Sequence, residues 1–574
     1  MTDFAAPIRR RLAPRPAGPA AAPDAARAMR DDWRLILVML AFALFYGVLA
    51  LNMALMALSD PEEPRLGRAG QIDPVRSDIV DRRGRLLAAN LPAWSLYAHP
   101  HDVLDPVRAA AKLGEIFPYL TAEEALDILT QDSRFVWVER PVTPRQKQAV
   151  MDIGDPGLLF GSREMRLYPA GRTVAHVIGG VTAGEEDVRW AEIEGAGGVE
   201  RYFDERLRDP ARAGAPLSLS IDLALQTALS DVLQAEMTRL GAQGAAGVFM
   251  AVETGEILAL VSLPDYDPNK RKTKRDEAAG ASPRFNRAVQ GRYELGSVFK
   301  PLTAAMALDR GVVGPETMIE TGKPIFYGRQ RVRDYHRMPE EMSVTDIIRR
   351  SSNVGSAKLA LAVTTPHFRG YLDRLGMFAP VPVELSEAAG ASPLLPPKWT
   401  ELSTMNISFG HGIAVSPLHL AGAYATIANG GRRVIPTLQR GGRATPVAGE
   451  GERVFSAAAA AETLRMMRRV VTDGSGRRAR VPGYRLAGKT GTADKPDPVR
   501  GGYDRTKVMA TFGAIFPVDD PQYVLVVTMD EPTDRSGQTP SRQASRTAAP
   551  VAAEAVRRLA PILGLRPASL EGRP

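Results

Sequence analysis

The sequence predicts an α/β (α+β) fold in which an antiparallel sheet is assembled from both ends of one domain and flanked by helices. Two apolar, β-prone runs separated by a short polar turn come early in that domain, and two more come late in the chain. Helical patterns fill the interval between them. The early runs are 246–251 and 257–263, the late runs are 510–516 and 523–529, and helical patterns lie around 221–240, 297–308, 344–361, 418–429 and 552–563. Strands at both ends with helices between them favour a single sheet covered by helices.

An uncharged apolar segment near the N-terminus predicts one transmembrane helix. Residues 35–58 hold no charged side chain over 24 residues, and at about 1.5 Å per residue this length exceeds the ~30 Å hydrocarbon core of a bilayer. Seven arginines precede the segment, so the positive-inside rule places the N-terminus in the cytoplasm and the rest of the chain outside. A cleaved signal peptide is the alternative, but its apolar region is usually only ~7–15 residues long.

Composition divides the rest of the chain. Residues 1–34 are rich in Ala, Pro and Arg without apolar periodicity, which predicts a disordered cytoplasmic tail. Residues 59–215 mix short apolar runs with glycine and charge and show no catalytic constellation, so we expect a non-catalytic domain that contains short strands. Residues 216–565 contain the predicted sheet and helices, and residues 566–574 form a C-terminal tail.

The overall composition excludes several classes of function. The net charge is +8, but the arginines are scattered and no nucleic-acid-binding motif is present, so we expect no nucleic-acid partner. The chain has no cysteine, which excludes a thiol nucleophile and a cysteine-ligated metal. It also lacks a His-Glu-x-x-His motif, so a zinc hydrolase is not expected, and neither a metal nor a cofactor is implied.

The first candidate motif is Ser297-Val298-Phe299-Lys300. Residues three apart on a helix share a face, and a serine hydroxyl needs a nearby base to become a nucleophile. A lysine one turn away can be that base if burial or positive neighbours lower its pKa. We expect a helix to start at about Ser297, because Pro301 is tolerated in a first helical turn.

The second motif is Ser351-Ser352-Asn353. Its first hydroxyl can relay a proton, and its amide can hold the backbone of a substrate. Taken alone, the same three residues are more typical of a helix cap or a loop than of a catalytic element.

The third motif is Lys489-Thr490-Gly491-Thr492. The lysine and the two hydroxyls suit a substrate carboxylate, and the glycine leaves room for close backbone approach. Taken alone, this segment could also be an ordinary turn punctuated by glycine.

In this order, the three motifs together are typical of penicillin-recognising serine enzymes. The chain resembles the class B penicillin-binding proteins, and among them the cell-division (septal) transpeptidases. The resemblance extends to 408–418, which follows the second motif, and to Asp530-Glu531-Pro532 after the last strand. It implies a penicillin-binding-protein/β-lactamase-like transpeptidase domain over 216–565. It also implies that 59–215 is the family's pedestal, an extended, β-rich domain of the dimerisation type.

The resemblance also implies catalytic roles. Ser297 would be the acyl-ester nucleophile, and Lys300 would accept its proton. Ser351 would pass a proton to the leaving D-Ala nitrogen with help from Lys489, and Asn353 would hold the stem-peptide amide and orient Lys300.

Three further residues are implied in substrate binding. Thr490 and Thr492 would hold the terminal carboxylate beside Gly491, and the backbone N–H groups of Ser297 and Thr492 would form the oxyanion hole.

The expected function is therefore a serine-type peptidoglycan D,D-transpeptidase that is inhibited by β-lactams and acts at the division septum of the bacterial inner membrane. Its expected partners are a D-Ala-D-Ala donor stem, an amine acceptor, β-lactams, the membrane, and divisome proteins including a membrane glycosyltransferase. Two alternatives stay open. The first is an elongation-type class B transpeptidase, and the second is a D,D-carboxypeptidase or a β-lactam-binding sensor.

Overall fold

A computed structural model describes residues 25–58, 76–186, 191–212, 214–270, 282–443, 447–497 and 499–568. For residues 25–32, 34–35, 52–58, 183–186 and 191–192 it describes the backbone alone. The chain forms two compact units, Met1–Asp73 and Pro74–Pro574.

The first unit contains one helix, α1, Ala25–Leu58. It begins ten residues before the predicted membrane span. Within the part of the chain that the structure describes, no helix has both the length and the apolar character needed to span a membrane. The rest of the predicted tail, 1–24, and the linker after the helix, 59–75, lie outside the described residues, as does most of the C-terminal tail, 569–574.

The second unit begins with the predicted pedestal, which is rich in β structure as expected. One long strand, β2, pairs antiparallel with β1, β3 and β4. Leu96 on this strand packs with Leu113 and Phe117 from a helix that covers the sheet. The strands are β1 Ile79–Val80, β2 Leu86–Ala98, β3 Val136–Val142, β4 Leu158–Leu167, β5 Gly180–Glu186, β6 Ala191–Gly197 and β7 Leu217–Ser218. The helices are α2 Pro106–Ile116, α3 Ala122–Leu129, α4 Pro144–Met151, α5 Ala175–Ile178, α6 Gly198–Tyr202 and α7 Asp204–Leu207.

A buried ionic network ties the base of the pedestal together. Glu200 is completely buried, and its two carboxylate oxygens accept from Arg76 Nε and Arg166 Nε, each at 2.7 Å. Arg76 also donates to Asp204 Oδ1 at 2.7 Å. Opposite charges and matched hydrogen bonds compensate for the loss of hydration, so removing the charge of Glu200 leaves Arg166 buried without the counter-charge that it shares with Arg76.

Glu200→Gln is therefore expected to destabilise the pedestal by about 3–5 kcal/mol, because two arginines lose their shared counter-charge. Amide hydrogen exchange across β4 would measure this loss as faster local opening. The matched control is Glu205→Gln, an exposed residue five positions away, which should leave exchange unchanged. Equal protection in the two variants would contradict the structural role of the network.

The catalytic region is built on the antiparallel sheet that the sequence predicts. Its order is β14-β15-β16-β8-β9, and every neighbouring pair is antiparallel. The prediction that both ends of the domain contribute to one sheet is confirmed. The strands are β8 Gly244–Ala251, β9 Ile257–Leu263, β10 Met318–Glu320, β11 Ile325–Tyr327, β12 Gln330–Val332, β13 Glu341–Ser343, β14 Ala487–Pro496, β15 Tyr503–Phe516 and β16 Tyr523–Asp530.

Helices cover both faces of this sheet. The helices are α8 Leu223–Leu240, α9 Lys300–Asp309, α10 Val344–Arg350, α11 Asn353–Val363, α12 Thr365–Arg374, α13 Glu401–Ile407, α14 Pro417–Ala428, α15 Ala457–Asp473 and α16 Ala548–Ile562. Side chains of one face, such as Phe512, pack against α8 and α16. Side chains of the other face, such as Ile515, pack with α9, α14 and α15. Alternation along each strand therefore produces two hydrophobic layers.

Two predicted helices differ in the structure, and both differences fall on candidate motifs. The α-helix expected from Ser297 begins at Lys300, and a 3-10 turn, Gly296–Phe299, carries the serine. The helix expected over 344–361 is broken into α10 and α11, because Ser351 adopts a left-handed conformation with φ 69°. Apolar periodicity did not reveal this break, because the pattern continues on both sides of it.

The pedestal packs directly on the catalytic region within the second unit. Arg83 Nε and Arg85 Nη2 donate to the two oxygens of Asp222 at 2.7 and 2.8 Å. Asp222 is the N-cap of α8, and one hydrophobic core includes buried side chains from both regions.

Candidate active site

The turn that carries Ser297 is shaped by backbone packing. Gly296 has φ +65°, a conformation that favours glycine. A Cβ on Gly296 would lie 2.8 Å from the carbonyl oxygen of Thr492, so the turn presses against strand β14. Tyr424 is buried, and its Oη donates to the carbonyl of Val298 at 2.9 Å, which holds the turn in place. Ser297 is half-buried, and its hydroxyl has no hydrogen bond within the described residues.

Lys300 lies under this turn and faces the second motif. Its side chain is fully buried, and its Nζ donates to Ser351 O at 2.5 Å, Ser351 Oγ at 3.1 Å and Asn353 Oδ1 at 2.7 Å. Burial holds the pKa of Lys300 well below its ordinary value, the nearby charge of Lys489 lowers the pKa further, and Asp334 opposes the shift. Lys300 therefore gives up its proton far more readily than a solvated lysine.

The second motif occupies the junction between α10 and α11. Because Ser351 is left-handed there, its side chain and its carbonyl both reach Lys300. Ser352 is the N-cap of α11, and its hydroxyl accepts from Gly355 N at 3.0 Å. The sequence left open whether this motif was a cap or a catalytic element, and in the structure it combines a cap with the contacts of the site.

Asp334 fixes this junction, and sequence reasoning missed it. Its carboxylate accepts from Ser352 Oγ at 2.8 Å and, through a short hydrogen bond, from the backbone N–H of Asn353. A carboxylate at a helix N-terminus is favoured by the unpaired N–H groups there. Asp334 is separated from the motif by 18 residues and sits in an irregular segment, so no local pattern pointed to it.

The third motif lies on β14, the edge strand of the sheet. Lys489 is completely buried, and its Nζ donates to Ser351 Oγ at 3.0 Å and to the carbonyl of Thr490 at 3.0 Å. Burial lowers the pKa of Lys489 to about 7. The Ser351 hydroxyl thus accepts hydrogen bonds from two buried lysines, which makes it the meeting point of all three motifs.

The two threonines of the third motif have different partners. Thr490 Oγ1 shares a hydrogen bond with Ser475 Oγ at 3.0 Å, and Ser475 is a second residue that sequence reasoning missed. Thr492 Oγ1 accepts from the backbone N–H of Ala544 at 2.9 Å, so its hydroxyl hydrogen stays available for one donation. Gly491 lies flat against the Leu295 carbonyl, where a Cβ would clash.

The assembled arrangement suits nucleophilic acyl transfer. A half-buried serine lies beside an edge strand, and two buried lysines with lowered pKa values meet at a second serine hydroxyl. Activation of a serine by a neighbouring base, followed by proton return to a leaving group, needs this set of groups. Among the residues that the structure describes, no group of three or more His, Asp or Glu could hold a metal ion.

Comparisons with known proteins match both regions of the second unit. The family model of the penicillin binding protein transpeptidase domain matches residues 245–557. The model of the penicillin-binding protein dimerisation domain matches residues 71–211.

Individual relatives span almost the whole chain. The probable peptidoglycan D,D-transpeptidase FtsI of Caulobacter vibrioides is 36% identical over 552 residues, covering 94% of this chain and 91% of that protein. The peptidoglycan D,D-transpeptidase FtsI of Escherichia coli K12 is 29% identical over 545 residues, covering 87% of this chain and 88% of that protein.

A solved structure shares the fold. The crystal structure of penicillin binding protein 3 from Mycobacterium tuberculosis, complexed with aztreonam, superposes with a TM-score of 0.65 at 24% identity. It covers 87% of this chain and 99% of that chain. The matched domain models and the 36% identity along nearly the full length show that this chain belongs to the penicillin-binding proteins, with a dimerisation domain followed by a transpeptidase domain.

Proposed function

We propose that this protein is a class B, serine-type D,D-transpeptidase that cross-links peptidoglycan stem peptides through an acyl-enzyme on Ser297. The observation that carries the proposal is the Ser351 hydroxyl, which lies 3.1 Å from Lys300 Nζ and 3.0 Å from Lys489 Nζ. One hydroxyl between two buried lysines gives a short route for a proton from the nucleophile to the leaving group.

Acylation begins when Ser297 Oγ attacks the carbonyl carbon of the penultimate D-Ala. Neutral Lys300 accepts the hydroxyl proton as the O–C bond forms. The oxyanion is held by the backbone N–H groups of Ser297 and Thr492, which lie on two elements in direct contact. The C–N bond then breaks, Ser351 Oγ gives a proton to the nitrogen of the departing D-Ala, and Lys489 resupplies Ser351.

Substrate positioning follows from the groups around this route. Thr490 and Thr492 donate to the terminal carboxylate from β14, and Lys489 supplies positive charge behind them. Asn353 Oδ1 accepts from Lys300 at 2.7 Å, and its Nδ2 donates one hydrogen to the carbonyl of Arg333 at 3.1 Å. The second hydrogen of Nδ2 is left to hold a backbone carbonyl of the stem. Resolution reverses the route: an amine of a neighbouring stem attacks the ester carbonyl and loses a proton through Ser351 to Lys489. The C–O bond to Ser297 then breaks, and Lys300 returns its proton to Ser297 Oγ.

The route predicts a pH dependence. Lys300 must be neutral to accept a proton, so acylation should rise with pH along a limb centred well below the ordinary lysine pKa, which burial and the charge of Lys489 lower. Lys489→Met removes that charge, which raises the pKa of Lys300 and should move the limb to higher pH. Single-turnover acylation rates from about pH 5 to about pH 10 would measure both profiles. A limb that stays in place would mean that another group titrates.

A role at the division septum is favoured over one in elongation. Relatives from two organisms carry the name FtsI, and the segments 408–418 and 530–532 are of the division type. Septal enrichment of a fluorescent fusion would support this role, and uniform distribution along the side wall would favour the elongation type.

Membrane attachment and divisome partners belong to the same proposal. The uncharged segment 35–58 and the seven arginines before it support a single span with the catalytic region on the outer side of the inner membrane. The pedestal offers a surface for divisome proteins, including a membrane glycosyltransferase.

Mapping of a covalent adduct tests the proposed chemistry. After incubation with a penicillin, proteolysis and mass spectrometry should find one adduct, on the peptide that contains Ser297, because the strained lactam mimics D-Ala-D-Ala. An adduct on another serine, or none on the folded chain, would refute the assignment.

The carboxypeptidase alternative is tested with a stem pentapeptide. A transpeptidase should release more D-Ala when an amine acceptor is added and should form the cross-linked product. Release that is indifferent to the acceptor, with water as the only nucleophile, would favour a carboxypeptidase.

A further inference from the structure

A hairpin beside the second motif projects from the catalytic region. It consists of β11 and β12, which pair antiparallel with Ile325 opposite Val332 and Phe326 opposite Arg331. Ile325 and Val332 face inward and pack with Met405 and Phe409. Alternation along the strands therefore turns Phe326 and Arg331 outward, and Phe326 is 68% exposed.

The segment that leaves this hairpin is bonded to the catalytic junction. The carbonyl of Arg333 accepts from Asn353 Nδ2 at 3.1 Å, and the next residue, Asp334, caps α11. The outward face of the hairpin therefore adjoins the part of the candidate active site that contains Asn353.

This segment is strongly basic. Residues 322–337 hold five Lys or Arg and one acidic residue, Asp334, which is engaged in the cap. We call its four arginines, all exposed, the arginine rim: Arg329, Arg331, Arg333 and Arg337. None of them has an ion-pair partner among the residues that the structure describes. Surface arginines are commonly paired or scattered, so four unpaired ones in nine residues leave a local excess of positive charge.

The direction of the donor stem brings its upstream residues to this place. In the proposed function the terminal carboxylate lies at Thr490 and Thr492, the scissile carbonyl at Ser297, and the preceding amide at Asn353. Residues before D-Ala-D-Ala must therefore leave the cleft past Asn353, beside the hairpin. Stem peptides carry free carboxylates on those residues, and guanidinium groups bind carboxylates in bidentate geometry.

We infer that the arginine rim binds the carboxylates of the donor stem peptide upstream of D-Ala-D-Ala and so selects donors that carry them. The inference rests on the proposed function and adds a specificity site to it. Phe326, opposite Arg331 on the same face, gives the hydrocarbon part of the stem an apolar surface beside the charges.

The experiment compares two synthetic donors with the full-length chain in detergent. Both end in a thioester in place of the scissile peptide bond; one has free carboxylates on the two upstream residues, and the other has amides there. The variant is Arg329→Gln/Arg331→Gln/Arg333→Gln, whose side chains are exposed. We expect the ratio of kcat/KM for the carboxylate donor over the amide donor to fall about tenfold or more, the size of one charge-assisted hydrogen bond.

A matched triple variant in the pedestal controls for net charge. Arg134→Gln/Arg145→Gln/Arg201→Gln removes three exposed arginines far from the hairpin and should leave the ratio unchanged. Added salt should shrink the ratio of the wild-type chain, because exposed charges are screened over about 10 Å at 0.1 M.

The possible outcomes distinguish failure of the arginine-rim inference from failure of the proposed function. Two results overturn the inference and leave the proposed function standing. In the first, the wild-type chain has a kcat/KM ratio of carboxylate donor to amide donor near one. In the second, the ratio of the rim variant stays within twofold of the wild-type ratio. Failure of the wild-type chain to react with either donor and with penicillin overturns the proposed function, and the inference with it.

Discussion

Ser297→Ala is expected to abolish the covalent penicillin adduct and all transpeptidation. The turn that bears Ser297 leads directly into the helix that begins at Lys300, and it packs against β14, the strand that carries Lys489. Without Oγ no ester can form, so the loss should be complete rather than partial. Labelling with a fluorescent penicillin, followed by denaturing electrophoresis, measures the adduct.

The control for this loss is Ser133→Ala, a serine of the pedestal that should label like the wild-type chain. Thermal unfolding of Ser297→Ala should match the wild type, because a half-buried hydroxyl without a hydrogen bond contributes little to stability. Ser133→Ala loses only local hydrogen bonds to Phe135 and should also stay folded at the assay temperature. A persistent adduct in folded Ser297→Ala would mean that the nucleophile lies elsewhere.

Lys300→Met is expected to slow acylation by about two to four orders of magnitude, the range for loss of a positioned general base. Methionine nearly conserves the length of the side chain but removes the base and its three hydrogen bonds to Ser351 and Asn353. Stopped-flow acylation by a penicillin measures the change.

The stability of Lys300→Met should change far less than its acylation rate. Removal of the amine leaves the Ser351 carbonyl and Asn353 Oδ1 without this donor, which costs about 1–3 kcal/mol. Lys300→Met should therefore stay folded at the assay temperature, although its acylation rate falls by orders of magnitude. Lys358→Met, on the outer part of α11 and paired with Glu320 at 3.1 Å, is the matched control and should acylate normally. Acylation of Lys300→Met within tenfold of wild type would assign the base to another group, with Lys489 the first candidate.

Sequence alone predicted four of the five strands of the sheet, because these four are continuous apolar runs with turn residues between them. It missed the edge strand β14, whose glycines, lysines and threonines form no apolar run. It also paired Ser297 with Lys300, because three-residue spacing brings two side chains to one face of any helical turn, whether α or 3-10. The helix break at Ser351 was missed, since a left-handed serine leaves no trace in hydrophobic periodicity.

The sequence by itself determined the family, the order of the three motifs and the residue types that carry the chemistry. Only the tertiary structure decided which hydroxyl is shared by the two lysines, since Lys489 and Ser351 are separated by 138 residues. It also supplied Asp334 and Ser475, whose partners lie on other elements. Local spacing constrains only residues within a turn or two of each other, whereas these hydrogen bonds and the lowered lysine pKa values arise when distant segments are buried together.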